Sequence, residues 1–390
     1  MKKKVAILGS TGSIGKTLIN IIKQDKKNFE IVLLSADENY KELLKQAKFF
    51  KVKNLIITNE NSFTRAKKDK FSKKINIYND FNDFRKIFKK KIDYTMSSIS
   101  GIQGLKPTIE IIKYTNKIAI ANKEAIICGW DLIKKDLNKY KTEFIPVDSE
   151  HFSIWYALKS IDKNLIDQIF LTASGGPFLQ KTSQKLKKVN IKQAINHPNW
   201  KMGRKISIDS ATMINKVFEI IEAKKIFEIS YNKLSIIIHP KSYVHAIIKL
   251  KNGLTKIIVH DTSMKIPIFN SLYSSKKFIK SSYINFKILN NLDFRDVNLK
   301  KFPLVKILKM LPNYDSLFET ILVSINDKLV DLFLNNKIKF TDISKKMNKM
   351  LSLSSLKKYK KIKPKKIEEI INMNLTIRND IENQISEKRC

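Results

Sequence analysis

Glycine is scarce in this 390-residue chain, with only ten residues where ordinary usage of about 7% would supply roughly 27. Eight of the ten fall at Gly9, Gly12, Gly15, Gly101, Gly104, Gly129, Gly175 and Gly176. Such clustering marks backbone positions that a Cβ atom would obstruct. Cysteine is rarer still. Cys128 and Cys390 are the only two, which argues against a disulfide framework and fits a reducing compartment, the cytoplasm by default. No apolar run approaches the roughly 18 residues of a membrane span. Basic residues open the chain, but the apolar run that follows stops at Gly9 without the cleavage pattern of a secretory signal, and it reads as a strand. Acidic residues are outnumbered, 36 against 75 basic ones, giving a formal charge of +39. Charge of that size invites a nucleic-acid reading. The lysines, however, are spread from end to end, with no zinc-finger spacing, aromatic RNA-binding signature or arginine cluster. Compositional use of Lys, Ile and Asn accounts for the charge, and no specific nucleic acid is expected as a partner.

The length implies two or three domains, since single cores rarely exceed about 250–300 residues. Residues 4–8 form a short apolar run ending in Gly9-Ser-Thr-Gly-Ser-Ile-Gly15. A helical pattern with Ile14, Leu18, Ile21 and Ile22 on one face follows, and then a second strand at 30–35. This order is the first half of a nucleotide-binding βαβ unit. Apolar runs at 54–58, 94–98 and 117–121 extend the alternation. The expectation is an α/β protein with a Rossmann-like nucleotide-binding domain over 1–147. A central α+β catalytic domain is expected over 148–290, with a lid loop at about 174–204 and a connector at about 265–290. A C-terminal α-helical domain is expected over 291–390.

Four constellations carry chemistry. The first is the glycine turn, whose small residues let the backbone approach a pyrophosphate at a helix N-terminus. Beyond the next strand stand Asp37 and Glu38. An acid there would bond a free ribose 2′-hydroxyl and repel a 2′-phosphate, which points to NAD. The second is Val147-Asp-Ser-Glu-His151. Read as an extended segment, Asp148 and Glu150 point the same way, and their mutual repulsion would be relieved by a hard divalent cation; a solvated acidic turn is the alternative. The third is Asp209-Ser-Ala-Thr-Met-Ile-Asn-Lys-Val-Phe-Glu219. A helix starting near Ser210 would set Asn215 and Glu219 on one face beside Lys216, a point charge for phosphate; an ordinary mixed-charge helix is the alternative. The fourth is Ser174-Gly-Gly-Pro177, either a phosphate cradle or a tight turn. His197 and Trp200 sit in the long polar stretch, and the remaining histidines lack zinc spacing.

In this order the segments resemble the 1-deoxy-D-xylulose 5-phosphate reductoisomerase family. The likeness rests on Gly9–Gly15, Ala121-Asn-Lys-Glu124, Pro146–His151, Ser174-Gly-Gly-Pro-Phe178, His197-Pro-Asn-Trp-Lys-Met-Gly203 and Ser207–Lys216, with looser matches at 238–242 and 333–342. The resemblance implies a metal-dependent isomerisation and reduction that yields 2-C-methyl-D-erythritol 4-phosphate, a step of isoprenoid synthesis. It implies NADPH held by Thr11, Gly12, Ser13, Ile14, Asn39, Asn122, Glu124 and Gly203. It implies Mg²⁺ or Mn²⁺ on Asp148, Glu150 and Glu219, which together with Lys123 form the catalytic set. The sugar phosphate would meet Ser174, Ser210, Asn215 and Lys216 through its phosphate, and Lys123, Ser149, Glu150, His197 and Glu219 elsewhere. Trp200 and Met202 would belong to the lid. A homodimer is also implied. Two departures stand out. Asp37 and Glu38 replace small and basic residues, so NADH is not excluded, and Ser263 stands where an acid is usual.

Overall fold

The computed structural model describes residues 1–273 and 277–386; Cys390 and part of the expected connector lie outside them. The chain divides into two compact units. The first comprises 1–125, 131–152 and 264–280, and the second comprises 126–130, 153–263 and 281–390.

The first unit is built on a seven-stranded parallel sheet. Its strands are β1 (Lys3–Leu8), β2 (Phe29–Ala36), β3 (Asn54–Ile57), β4 (Asn76–Tyr78), β5 (Tyr94–Ser97), β6 (Lys117–Ile120) and β7 (Glu143–Pro146). They lie in the order β4-β3-β2-β1-β5-β6-β7. A parallel strand covered on both faces must be apolar throughout, and Val5, Ala6, Ile7 and Leu8 are all fully buried. The chain winds outward from β1 to β4 and returns to place β5 on the other side of β1. The crevice at the carboxyl end of β1 is therefore the topological switch point, where open α/β sheets bind ligands. The glycine turn leaves β1 there and leads into the helix Ser13–Gln24. The helix Lys265–Leu272 returns to this unit, with Ile268 and Leu272 in its core and Ser271 bonded to the buried Tyr94 hydroxyl at 2.7 Å.

Two glycines of the turn are compulsory. Gly9 has φ +80, and a Cβ on it would lie 2.8 Å from the Ser98 carbonyl oxygen. A Cβ on Gly15 would come within 2.5 Å of Ser10 Cα, because the helix crosses its own entry loop there.

The second unit holds a four-stranded sheet of β8 (Ile166–Ala173), β9 (Leu234–Ile238), β10 (Val244–Leu250) and β11 (Thr255–Val259), ordered β11-β10-β8-β9. β8 and β9 run parallel, and the other pairs are antiparallel. One face packs Ile169, Leu171, Ala246 and Ile248 against Ile220, Ala223 and Phe227 of the helix Ile214–Phe227. The C-terminal portion is helical, as expected. Its long helix Leu317–Leu334 opens with a capping box between Ser316 and Glu319.

The polar stretch after β8 has more structure than its composition implies. It contains the short helices Ser183–Leu186 and Ile191–Ile195, and it is anchored by the buried Phe178, Leu186, Val189 and Ala194. Four anchors spread over this length carry no periodicity.

Gly15→Ala should lower stability by about 1–3 kcal/mol, the usual cost of overpacking against backbone that cannot move aside. Urea unfolding midpoints of the two proteins measure this, and equal midpoints would contradict the packing described.

Candidate active site

The nucleotide end of the first unit is made of backbone. Gly12 caps the helix Ser13–Gln24 without contributing a side chain. The helix N-terminus and its dipole therefore face the switch point with no side chain across them, a ready anion site. Thr11 and Ile14 are half-buried there, and Gly12 and Ser13 are exposed. Ser35 secures the turn, taking the Gly9 N–H on its hydroxyl at 2.9 Å and the Ser10 N–H on its carbonyl at 2.8 Å.

Beyond β2, the Thr58 hydroxyl donates to Asp37 Oδ1 at 2.8 Å. Asn39 caps the helix Tyr40–Phe50 by accepting from the Glu42 N–H at 3.3 Å. Asn122 is buried and its amide is fully engaged. It donates to the carbonyls of Ile99 and Gly101 and accepts from the Ala125 N–H at 2.7 Å. Its side chain braces the turn after β6. Glu124 is buried in the first turn of the helix Lys123–Tyr140.

The acidic segment follows β7. The extended geometry expected from sequence is not what forms. Ser149–Leu158 is helical, Asp148 directly precedes it, and Glu150 lies in its first turn. The Asp148 carbonyl accepts the Phe152 N–H at 2.8 Å. Acidic side chains are favoured at a helix N-terminus, which explains why the segment winds at this point. Ser149 donates to Glu150 Oε2 at 2.6 Å. Lys123 pairs with Asp148 at 2.8 Å. Withdrawal from water, the largest single influence, opposes the Asp148 charge, but the Lys123 ammonium, His151 and a hydrogen bond with Glu150 together outweigh it. The carboxyl is held well below the usual carboxylate range.

The remaining residues sit in the second unit. The helix expected to start near Ser210 is two helices. Arg204–Thr212 ends at Met213, whose left-handed φ of 64 breaks it, and Ile214–Phe227 begins afresh. Ser210 thus lies at a helix C-terminus. Asn215 and Glu219 do share a face, and the Asn215 amide donates to the Glu219 carboxylate. Lys216 is ion-paired with the same carboxylate, and both side chains are at least nine-tenths buried.

Gly175 (φ +79) and Gly176 (φ +67) shape the turn after Ser174, and a Cβ on Gly176 would sit 2.7 Å from the Ser210 carbonyl oxygen. That contact seats the turn against the end of the Arg204–Thr212 helix.

His197 completes the cluster. The backbone N–H groups of Asn199 and Trp200 point at its Nδ1, at 3.1 and 3.0 Å. Nδ1 must therefore accept, and the hydrogen resides on Nε2. Nε2 donates to Ser174 Oγ at 2.9 Å, and Ser174 Oγ also accepts from the Gly176 N–H at 3.1 Å. With two donors on its oxygen, the Ser174 hydroxyl keeps its own hydrogen for a ligand. Burial, and after it the nearby Lys216 ammonium, lowers the His197 pKa to about 4. Ser174, His197 and Lys216 thus lie together against the Ser210 end of the helix, a neutral histidine and a buried ammonium beside a hydroxyl donor, groups suited to a phosphate.

Sequence reasoning missed the residues that hold this cluster in place. The Asn199 amide ties the histidine turn to the Pro240 carbonyl at 2.6 Å and the Ser242 hydroxyl at 2.9 Å. Trp200 meets the edge of His245, which stacks on His260 with centroids 3.6 Å apart. Nothing in the spacing of these residues announces such contacts. Gly203 caps the Arg204–Thr212 helix, and a Cβ there would meet nothing within 4 Å.

Comparison with known proteins decides the lineage. The signature of 1-deoxy-D-xylulose 5-phosphate reductoisomerase matches residues 5–129, and those of its C-terminal domains match 144–227 and 260–380. The chain is 58% identical to the reductoisomerase of Pelagibacter ubique (strain HTCC1062) over 375 residues, 95% of this chain and 97% of the relative. The chain belongs to the 1-deoxy-D-xylulose 5-phosphate reductoisomerase family. The family enzyme of Thermoanaerobacter sp. (strain X514) is 35% identical, covering 97% of this chain and 98% of its own. Among solved structures, the Zymomonas mobilis reductoisomerase in complex with NADPH superposes with a TM-score of 0.86 at 27% identity, covering 99% of both chains. A family structure holding NADPH, fosmidomycin and magnesium reaches 0.90 at 28% identity, again over 99% of both chains.

The His197 tautomer has a consequence for stability. Its folded pKa of about 4 lies below the unfolded value of about 6.5, so the unfolded chain binds the extra proton in between. The contribution of His197 to stability is thus complete above about pH 6.5 and is lost as pH falls toward 4. Urea midpoints measured between pH 7 and 5 should decline less steeply in His197→Gln than in the parent. Parallel declines would mean that the ring is already protonated when folded.

Proposed function

We propose that this chain converts 1-deoxy-D-xylulose 5-phosphate to 2-C-methyl-D-erythritol 4-phosphate with NADPH and a divalent cation, Mg²⁺ or Mn²⁺. The observation that carries the reading is Lys216. It is a buried ammonium paired with Glu219 and close enough to His197 to depress its pKa, beside the Ser174 turn. A buried cation near a hydroxyl whose hydrogen is left for a ligand fits a phosphate monoester.

Ser174, Ser210, Asn215 and Lys216 hold the phosphate, and His197 fixes the direction of the Ser174 hydroxyl. Lys123 and Ser149 meet the sugar oxygens. Asp148, Glu150 and Glu219 each offer a carboxylate oxygen, the hard donors that Mg²⁺ and Mn²⁺ prefer. When bound, the cation supplies Lewis-acid polarisation of the substrate's keto and hydroxyl oxygens. The carboxylates keep the site anionic enough to hold it, with Asp148 ionised throughout the neutral range. Isomerisation breaks one carbon–carbon bond in a retro-aldol step and forms another on re-addition. The segment carrying Trp200 and Met202 covers the fragments and keeps water out between the two events. Bound NADPH supplies the hydride that reduces the resulting branched aldehyde.

The glycine turn fits NADPH, since the helix behind it presents an N-terminus with no side-chain cap. Thr11, Gly12, Ser13 and Ile14 hold the pyrophosphate, and Asn39, Asn122, Glu124 and Gly203 line the remainder. We place the enzyme in the cytoplasm as a homodimer. Among the described residues no helix is long and apolar enough to cross a membrane. The free edge strand β11 exposes Ile257 and Val259, apolar surface that a second copy would cover.

Purified protein should oxidise NADPH with deoxyxylulose phosphate and Mn²⁺, and absence of turnover would refute the reading. Glu150→Gln should lose at least about 100-fold in kcat, the scale of removing an electrostatic catalytic group. NADPH affinity, read by fluorescence titration, should stay unchanged. Asp37 opposes a 2′-phosphate, so Asp37→Asn should raise the NADPH-to-NADH ratio of kcat/KM several-fold, about the effect of removing one repulsive charge. An unchanged ratio would place Asp37 away from the ribose.

A further inference from the structure

The helix Arg204–Thr212 joins the histidine turn to the phosphate cluster and is held by a buried ionic brace that the chemistry above does not use. Asp209, 1% exposed, accepts from the Asn326 amide at 2.8 Å and pairs with Lys205 at 2.9 Å. Lys205 also pairs with Asp327 at 3.0 Å. Asn326 is fully buried, and both it and Asp327 belong to the helix Leu317–Leu334.

Helix stability does not explain these charges. Lys205 lies in the first turn of a nine-residue helix and Asp209 near its end, so each charge opposes the helix dipole. The order of the pair, basic residue first and acid four later, is also the weaker one for an isolated helix. Their placement gains from the partners on Leu317–Leu334, and Lys205 also lies over the Phe218 ring, 5.5 Å from its centroid. The brace acts one residue before Ser210, whose carbonyl seats the Gly176 turn, and four residues before the left-handed Met213 that sets the direction of Asn215, Lys216 and Glu219.

We infer that Asp209, clamped by Lys205 and Asn326 to the C-terminal helix, is a positioning residue that sets substrate affinity by holding Ser210 and the Met213 turn in register with the Ser174 loop. The inference rests on the reading that Ser210 and Lys216 hold the substrate phosphate.

Inorganic phosphate as a competitive inhibitor probes the cluster directly. In Asp209→Asn, and in Asn326→Leu, which removes one hydrogen bond to Asp209 while leaving its pairing with Lys205 and serves should the first fail to fold, KM and the phosphate Ki should rise together by about tenfold. Misplacement of binding groups by less than an ångström has effects on this scale. The value of kcat should stay within about threefold of the parent. A lowered melting temperature with KM and Ki unchanged would make the brace purely structural and overturn the inference. Ser210→Ala and Lys216→Met are measured alongside. If they raise Ki while both brace variants leave it unchanged, the positioning role alone fails. If they too leave Ki unchanged, the phosphate reading fails and the inference falls with it.

Discussion

Buried carboxylates need a compensating charge, and in this chain lysines one short step away supply it. Lys123 compensates Asp148 and Lys216 compensates Glu219. A carboxylate moved out of water without a partner would take up a proton rather than stay charged. A protonated acid is a poor ligand for a hard cation. Lys123 helps keep Asp148 ionised before any ligand arrives. In the proposed mechanism each lysine would also turn to a substrate oxygen, its flexible stem carrying a point charge rather than a fixed fork. Lys216 stands three residues before Glu219, whereas Lys123, at the start of its helix, meets Asp148 through the fold.

The scaffold places these pairs by two devices. In the first unit, reversal of strand order at β1 opens a crevice, and β7 delivers Asp148 from the carboxyl edge of the same sheet. In the second unit, two positive-φ glycines and the left-handed Met213 bring a loop and a helix break together. Both devices use backbone conformations that most side chains disfavour. In a chain so poor in glycine, Gly9, Gly175 and Gly176 thus stand at turns that need a positive φ.

Much of this was legible in the residues. Continuous apolar runs such as Val5–Leu8 reveal buried parallel strands, and the glycine turn between a strand and a helix reveals the nucleotide-binding half. The three-residue β4 was not legible, being too short to show any period. The break at Met213 was hidden because methionine carries no signature of positive φ, so one helix was expected where two form. The winding of Ser149 and Glu150 into a helix was missed because two acids after a strand read equally well as an extended turn. His197 was identified by family likeness, but its neutral state was not. That state depends on burial, on two backbone N–H groups and on Lys216, which is nineteen residues away in sequence. The Asp209 brace joins residues 117 apart, and no local pattern encodes such a contact.

The account stands or falls on whether Asp148, Glu150 and Glu219 are ligands of one ion. Electron paramagnetic resonance of Mn²⁺ titrated into the protein counts bound ions directly, without turnover. The parent should bind one Mn²⁺ per chain, and Glu219→Gln should bind it at least about tenfold more weakly, the least expected from loss of a charged ligand. Undiminished affinity in that variant, at the same stoichiometry, would contradict the assignment.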